Sequence, residues 1–153
     1  ESNSKFIVMR ISSYCIASSA AFTGAALYVS LVDHPTRLQL DTAAALKQWK
    51  KCYSWSMPLQ AGLALSSGIL AFVNIVEHKQ QIWILGSALM LLNWPLTLIF
   101  ILPLQKRLMA VNEASADEKT RADLERWGHL HGMCATLGLM ATGVFLAGRF
   151  VLK

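Results

Sequence analysis

Four stretches of this chain stay apolar for about twenty residues or more, and that limits the fold more than any other feature. They run from about residue 6 to 32, 57 to 76, 82 to 104 and 130 to 152. Roughly 20 such residues are what a helix needs to cross the hydrocarbon core of a bilayer. Helix is the form expected for each, because a lone strand in lipid leaves its backbone groups without partners. A water-soluble four-helix bundle is the competing arrangement, and it requires a polar stripe along every helix. None of the four stretches carries a stripe of that width. Only 15% of the 153 residues are charged, against about 25% in soluble domains. The expected fold is all-α, a four-helix transmembrane bundle forming one integral-membrane domain over residues 1–153.

The connections between the spans differ in kind. His78-Lys79-Gln80-Gln81 is a tight link, which makes spans two and three an antiparallel hairpin. The segments 33–56 and 105–128 are longer and return to one membrane face, each carrying a short amphipathic helix. The first such helix is expected to start near Asp41 and to place Trp49, Tyr53 and Trp55 at headgroup depth. For the second, Ser115 and Glu118 have the spacing of a capping box. Of the 14 Lys and Arg residues, nine fall on the long-loop side and five on the other. The positive-inside rule then puts the long loops on the cytosolic or matrix side, with the mitochondrial inner, endoplasmic reticulum and bacterial inner membranes all open. The net charge of +5 is scattered along a greasy chain. It suits anionic lipid headgroups, and nucleic acid is not an expected partner. Small residues four apart (Ala20 and Gly24, Ala64 and Gly68, Gly128 and Gly132, Gly143 and Ala147) are spaced for close helix approach.

Polar residues inside such spans are candidates for function. His34 closes span one on the long-loop face, and His129 and His131 open span four on the same face. His129 and His131 are two apart, so on a helix they point in nearly opposite directions. The small residues Ala135, Gly138 and Thr142 continue the His131 stripe, which assigns His131 to the interior and His129 to the headgroup layer. His78 lies on the opposite face beside charged neighbours, as a solvated loop residue. Two inward imidazoles and Asp33 are too few ligands for a metal centre, and no metal is expected. In span three, Pro95 lacks an N–H and clashes with the carbonyl of Leu91, which predicts a kink. Asn93 puts an amide beside that kink, and Thr97 lies one turn further along. A kink with an amide at mid-depth can widen a bundle into a pocket, or the amide can tie two helices together.

"GAALYVSLVDHPTRL", "LNWPLTLIFILPLQKRLMA" and "LERWGHLHGMCATLGL" together resemble the DUF1772 family, the anthrone-oxygenase-like group of small four-helix membrane proteins. The resemblance covers nearly the whole chain. It implies O2-dependent oxidation of an apolar phenolic or anthrone-type substrate, with O2 as co-substrate and no cofactor expected. The family's His-Pro falls on His34 and Pro35, its Asn-x-Pro on Asn93 and Pro95, and its Trp-x-x-x-His on Trp127 and His131. His131 and His34 become candidate general bases and Asn93 the holder of a developing oxyanion. Trp94, Thr97 and Trp127 become candidate substrate contacts. The chain departs from the pattern at Cys134, where a basic residue is expected, and at Gln105, where Asn is expected. If that basic residue steadies an enolate, its loss leaves two other readings open. One is a non-catalytic accessory subunit of a larger membrane complex, such as a respiratory or ATP synthase assembly. The other is a binder of lipid or quinone, with membrane lipids or further copies of the chain as partners.

Overall fold

The computed structural model describes residues 2–78 and 81–151 of the chain. Lys79 and Gln80, the centre of the tight link between spans two and three, lie outside the described residues, as does the side chain of His78. Helix α1 (Ser2–Tyr28) continues through a π turn (Val29–Asp33) into the single turn α2 (His34–Arg37). Helix α3 (Thr42–His78) is followed by α4 (Gln81–Leu91), α5 (Asn93–Leu96), a second π turn (Thr97–Ile101) and α6 (Leu102–Ala110). A short turn at Glu113–Ser115 leads to α7 (Glu118–Val151). There is no strand among the described residues.

Four of these segments are long and apolar enough to cross a membrane: Met9–Arg37, Thr42–Val76, Gln81–Ala110 and Glu118–Phe150. The protein is an integral membrane protein built as an all-α four-helix bundle. In the bundle α1 packs against α3 and α7, and α4 packs against the same two helices. Large apolar side chains point outward all round, among them Phe72, Ile99 and Phe150, each more than 60% exposed. In water such a surface would drive aggregation. In lipid it is the solvated face.

The segment starting at Asp41 is helical, as expected, and the Asp41 carboxylate accepts the Ala44 N–H at 3.0 Å. It runs without interruption into span two as one helix of 37 residues. At 1.5 Å per residue that is about 55 Å, well beyond a hydrocarbon core of about 30 Å. The excess stands on the long-loop side, where it packs on α6 and the first turns of α7. This changes the place of Trp49. It is 1% exposed and belongs to a core cluster with Leu46, Leu104, Leu108, Leu124 and Trp127, whereas Trp55 is 82% exposed on the outer face. The start of α7 also differs from expectation. The chain is extended at Ala116, so Asp117 is the cap, its Oδ1 accepting the Thr120 N–H at 2.8 Å. Those bonds from Thr120, backbone first and hydroxyl second, hold the Asp117 carboxyl below its ordinary pKa. Ser115 instead donates to the carbonyl of Asn112.

Hydroxyls join the spans in the half of the bundle away from the long loops. Ser12 donates to Asn74 at 2.5 Å, Ser18 pairs with Ser66 at 2.6 Å and Ser19 pairs with Thr142 at 2.6 Å. In lipid such bonds hold helices together where the hydrophobic effect cannot. Of the expected small-residue pairs, Ala64 and Gly68 are buried, while Ala20, Gly24, Gly143 and Ala147 face outward. Close approaches fall on Gly68 and Gly128 of the expected pairs, where a Cβ would meet Leu91 and His34, and on two further glycines. A Cβ at Gly138 would stand 2.7 Å from the Phe22 ring, and one at Gly86 would overlap the ring of Phe145.

Gly86→Ala is therefore expected to lower the thermal midpoint of the protein in nanodiscs, the overpacking amounting to about 1–3 kcal/mol. Gly24→Ala, with open space at its Cβ, leaves the midpoint unchanged. Equal midpoints for the two variants would show that Gly86 is not an approach site.

Candidate functional site

Two buried clusters make the core, and a cavity lies at the seam between them. One is centred on Phe22, Trp83, Met90 and Phe145, the other on Trp49, Leu104, Leu124 and Trp127. The cavity is about 110 Å3, and its wall includes Phe22, Tyr53, Gln60, Ala64, Asn93, Trp94, Thr97, Ile101, Gln105, Trp127, His131 and Cys134. No charged residue lines it.

Pro95 explains why the wall opens here. Without its N–H, span three cannot continue as one α-helix. The chain turns at Leu92, restarts as α5 and then widens into the second π turn. Single π turns set within α-helices are frequent at functional sites. Asn93 is 4% exposed, and its Nδ2 donates to the carbonyl of Met90 at 3.1 Å. That bond orients the amide, so the atom of Asn93 left without a partner is Oδ1, an acceptor. Nδ2 carries two N–H groups, and Met90 takes one through its carbonyl while its sulfur lies 4.0 Å away, so the oxyanion role expected for Asn93 stays compatible with this geometry. The donors without partners on the same wall are the indole N–H groups of Trp94 and Trp127.

His131 is 9% exposed and faces inward, while His129 is exposed. Its Nδ1 is 3.1 Å from the Ser30 hydroxyl, and its Nε2 is 3.2 Å from Gln60 Oε1. An amide oxygen only accepts, so in this arrangement Nε2 carries the proton and Nδ1 accepts from Ser30. The indole of Trp127 stacks on His131 with centroids 4.9 Å apart. Trp49 meets Trp127 edge-on at 5.6 Å, and Tyr53 stacks on Trp49 at 5.1 Å. An aromatic series thus ties His131 to Tyr53, whose hydroxyl donates to Gln105 Oε1 at 2.9 Å.

His34 is placed differently. It lies behind Trp127, with ring centroids 5.2 Å apart, and is not part of the cavity wall. Its Nδ1 accepts from the Arg37 guanidinium at 3.2 Å, and Arg37 is also paired with Asp33. Its ring rests on Gly128, where a Cβ would overlap it. A base needs reach to the substrate and a free lone pair, and His34 has neither, so the expected base role does not fit. Among the described residues no three His, Cys, Asp or Glu side chains gather in metal-binding range.

Five of the six expected site residues, Asn93, Trp94, Thr97, Trp127 and His131, share this wall. Ser30 and Gln60 are not among the residues that the sequence singles out, and Tyr53, expected at headgroup depth, stands on the cavity wall instead. Gln60 had a signal, being an amide inside the apolar run "SMPLQAGLAL". Ser30 did not stand out in a chain with so many span serines.

A family model described as anthrone oxygenase matches residues 49–144, more than half of the chain. The matched segment holds every wall residue except Phe22. No curated protein matches, and no solved structure matches.

The stack on Trp127 depends on the missing side chain at Gly128. Gly128→Val is expected to displace His34 and reduce the near-ultraviolet circular dichroism of the aromatic series, with helix content retained. An unchanged near-ultraviolet spectrum in a folded Gly128→Val protein would rule out that dependence.

Proposed function

The chain belongs to the anthrone oxygenase family, and from that premise we propose that it oxidises an apolar phenolic substrate of the anthrone type with O2. The observation that carries this reading is a set of buried, unpartnered polar atoms on residues that line the cavity: Asn93 Oδ1, Trp94 Nε1 and Trp127 Nε1. A buried donor or acceptor without a partner costs about 1–3 kcal/mol. A flat ligand with a phenol and a ketone offsets that cost, its hydroxyl donating to Asn93 and its carbonyl accepting from an indole. The rest of the wall is apolar or aromatic and suits a ring system.

His131 is the base. The chemistry requires the other imidazole tautomer, with Nδ1–H donating to Ser30 and the Gln60 amide turned away, which frees the Nε2 lone pair for the ligand. His131 then takes a proton from the activated methylene. The resulting carbanion is spread through the ring onto the oxygen, where the indole N–H groups stabilise it. O2 takes up the electron pair at the same carbon to give a hydroperoxide. Loss of water leaves a carbonyl: one oxygen atom stays on the carbon, and the other departs with the two hydrogens. Cys134, standing where the family pattern expects a basic residue, leaves the stabilising donors neutral. The count of Lys and Arg is the support for placing the long loops on the cytosolic or matrix face, and no cofactor is needed for these steps.

His131→Ala is expected to lower anthrone-dependent O2 uptake by about 10²- to 10⁴-fold, the usual range for a positioned base. Unchanged uptake in a folded His131→Ala protein would refute the base. A subunit role is the second reading, favoured by Ala20, Gly24, Gly143 and Ala147 facing outward. On that reading a native gel shows the chain in a large assembly, and purified protein takes up no O2 with anthrone.

A further inference from the structure

A shallow depression, mostly open to the outside, lies against the first cavity at the long-loop end of span three. Its wall is Tyr53, Leu102, Gln105, Lys106, Met109 and Ala110, and its volume is about 380 Å3. Tyr53 and Gln105 belong to both walls. These two side chains are joined by a single neutral hydrogen bond of 2.9 Å. The Tyr53 ring is held by its stack on Trp49.

The two spaces differ in chemistry. The inner wall carries no charge. The outer wall carries one, Lys106, which is exposed. Among the described residues no carboxylate is paired with it. The cation stands at the end of the bundle where the polar loops meet the spans, and the apolar cavity lies deeper. A molecule filling both has an apolar body and an anionic end.

We propose that the cavity and the depression form one ligand path, with the Tyr53–Gln105 hydrogen bond as its gate and Lys106 as the recognition point for a carboxylate on the ligand. This deepens the functional reading above and rests on the inner cavity being the ligand site. It narrows the substrate class to an acidic, otherwise apolar phenolic molecule. Such a molecule reaches the site from the headgroup end of the bundle. It does not slip between helices from the hydrocarbon, where its charge would be costly.

Cys134 on the inner wall gives a readout that needs no substrate. The full chain in phosphatidylcholine nanodiscs is treated with 2-carboxyethyl methanethiosulfonate or its trimethylammonium counterpart. Labelling of Cys134 is followed by peptide mass spectrometry. Tyr53→Phe and Gln105→Ala each remove the gate bond, and each is expected to speed labelling about fivefold, the effect of losing one ordinary hydrogen bond. The carboxylate reagent is expected to outpace the ammonium reagent about fivefold, as one nearby lysine would cause, and Lys106→Glu reverses the order. The path is overturned if both gate variants label at the wild-type rate, or if Cys134 is not labelled in any of them. The carboxylate subsite is overturned if the preference survives Lys106→Glu. It is also overturned if phosphatidylglycerol in the discs abolishes the preference, which would assign Lys106 to lipid phosphate. Labelling reports access alone, so it can succeed where His131→Ala shows no catalytic effect, and it can fail where that variant does.

Discussion

Inside hydrocarbon a backbone carbonyl without a donor is expensive, and Pro95 creates one by removing the donor that Leu91 would use. The rest of the site follows from how that break is accommodated. Span three cannot stay one cylinder, so it turns at Leu92, restarts at Asn93 and takes an extra residue into the turn Thr97–Ile101. The Asn93 amide is drawn onto the Met90 carbonyl, which leaves its oxygen unmatched. Helices that would otherwise close against each other are held apart, and a cavity forms between two well-packed clusters.

The opposite side of that cavity is built by a different device. Span one also ends in a π turn, and Ser30 sits within it, bonded to His131. His34 follows directly and is locked by Arg37 and Gly128 behind Trp127. A chain of ring contacts then runs from His131 through Trp127 and Trp49 to Tyr53. His131 is consequently a fixed group, with the Gln60 amide bonded to its Nε2 and the Gln105 amide at the far end of the ring series on Tyr53.

How much of this could be read from the residues alone depended on the kind of signal. Span number and helical form follow from run length and hydropathy, which is why the bundle was legible. The inward direction of His131 followed from its spacing to Ala135 and Gly138, and the kink followed from Pro95. Helix ends were harder. Ser115 and Glu118 have capping-box spacing, but Asn112 and Asp117 compete for the same turns and hold them. Trp49 looked interfacial because the segment was read as separate from span two, whereas one long helix carries it into the core. The role of His34 was misread because a histidine beside a proline shows nothing about Arg37 folding back onto it. Which atom of Asn93 is free is a matter of three-dimensional contact, and no spacing rule reports it.

Asn93 Oδ1 and the indole N–H groups of Trp94 and Trp127, unmatched within the protein, are assigned to a ligand. Titrating the protein in nanodiscs with 1,8-dihydroxyanthraquinone, followed by quenching of tryptophan fluorescence, tests this assignment most directly. Asn93→Leu serves as the comparison, being close in shape but unable to accept a hydrogen bond. Saturable binding at one site per chain is expected, weakened about tenfold in Asn93→Leu, since leaving a ligand hydroxyl unpaired costs of that order. Quenching that never saturates, or that is the same in Asn93→Leu, would contradict the assignment and return the cavity to a packing defect at a broken helix.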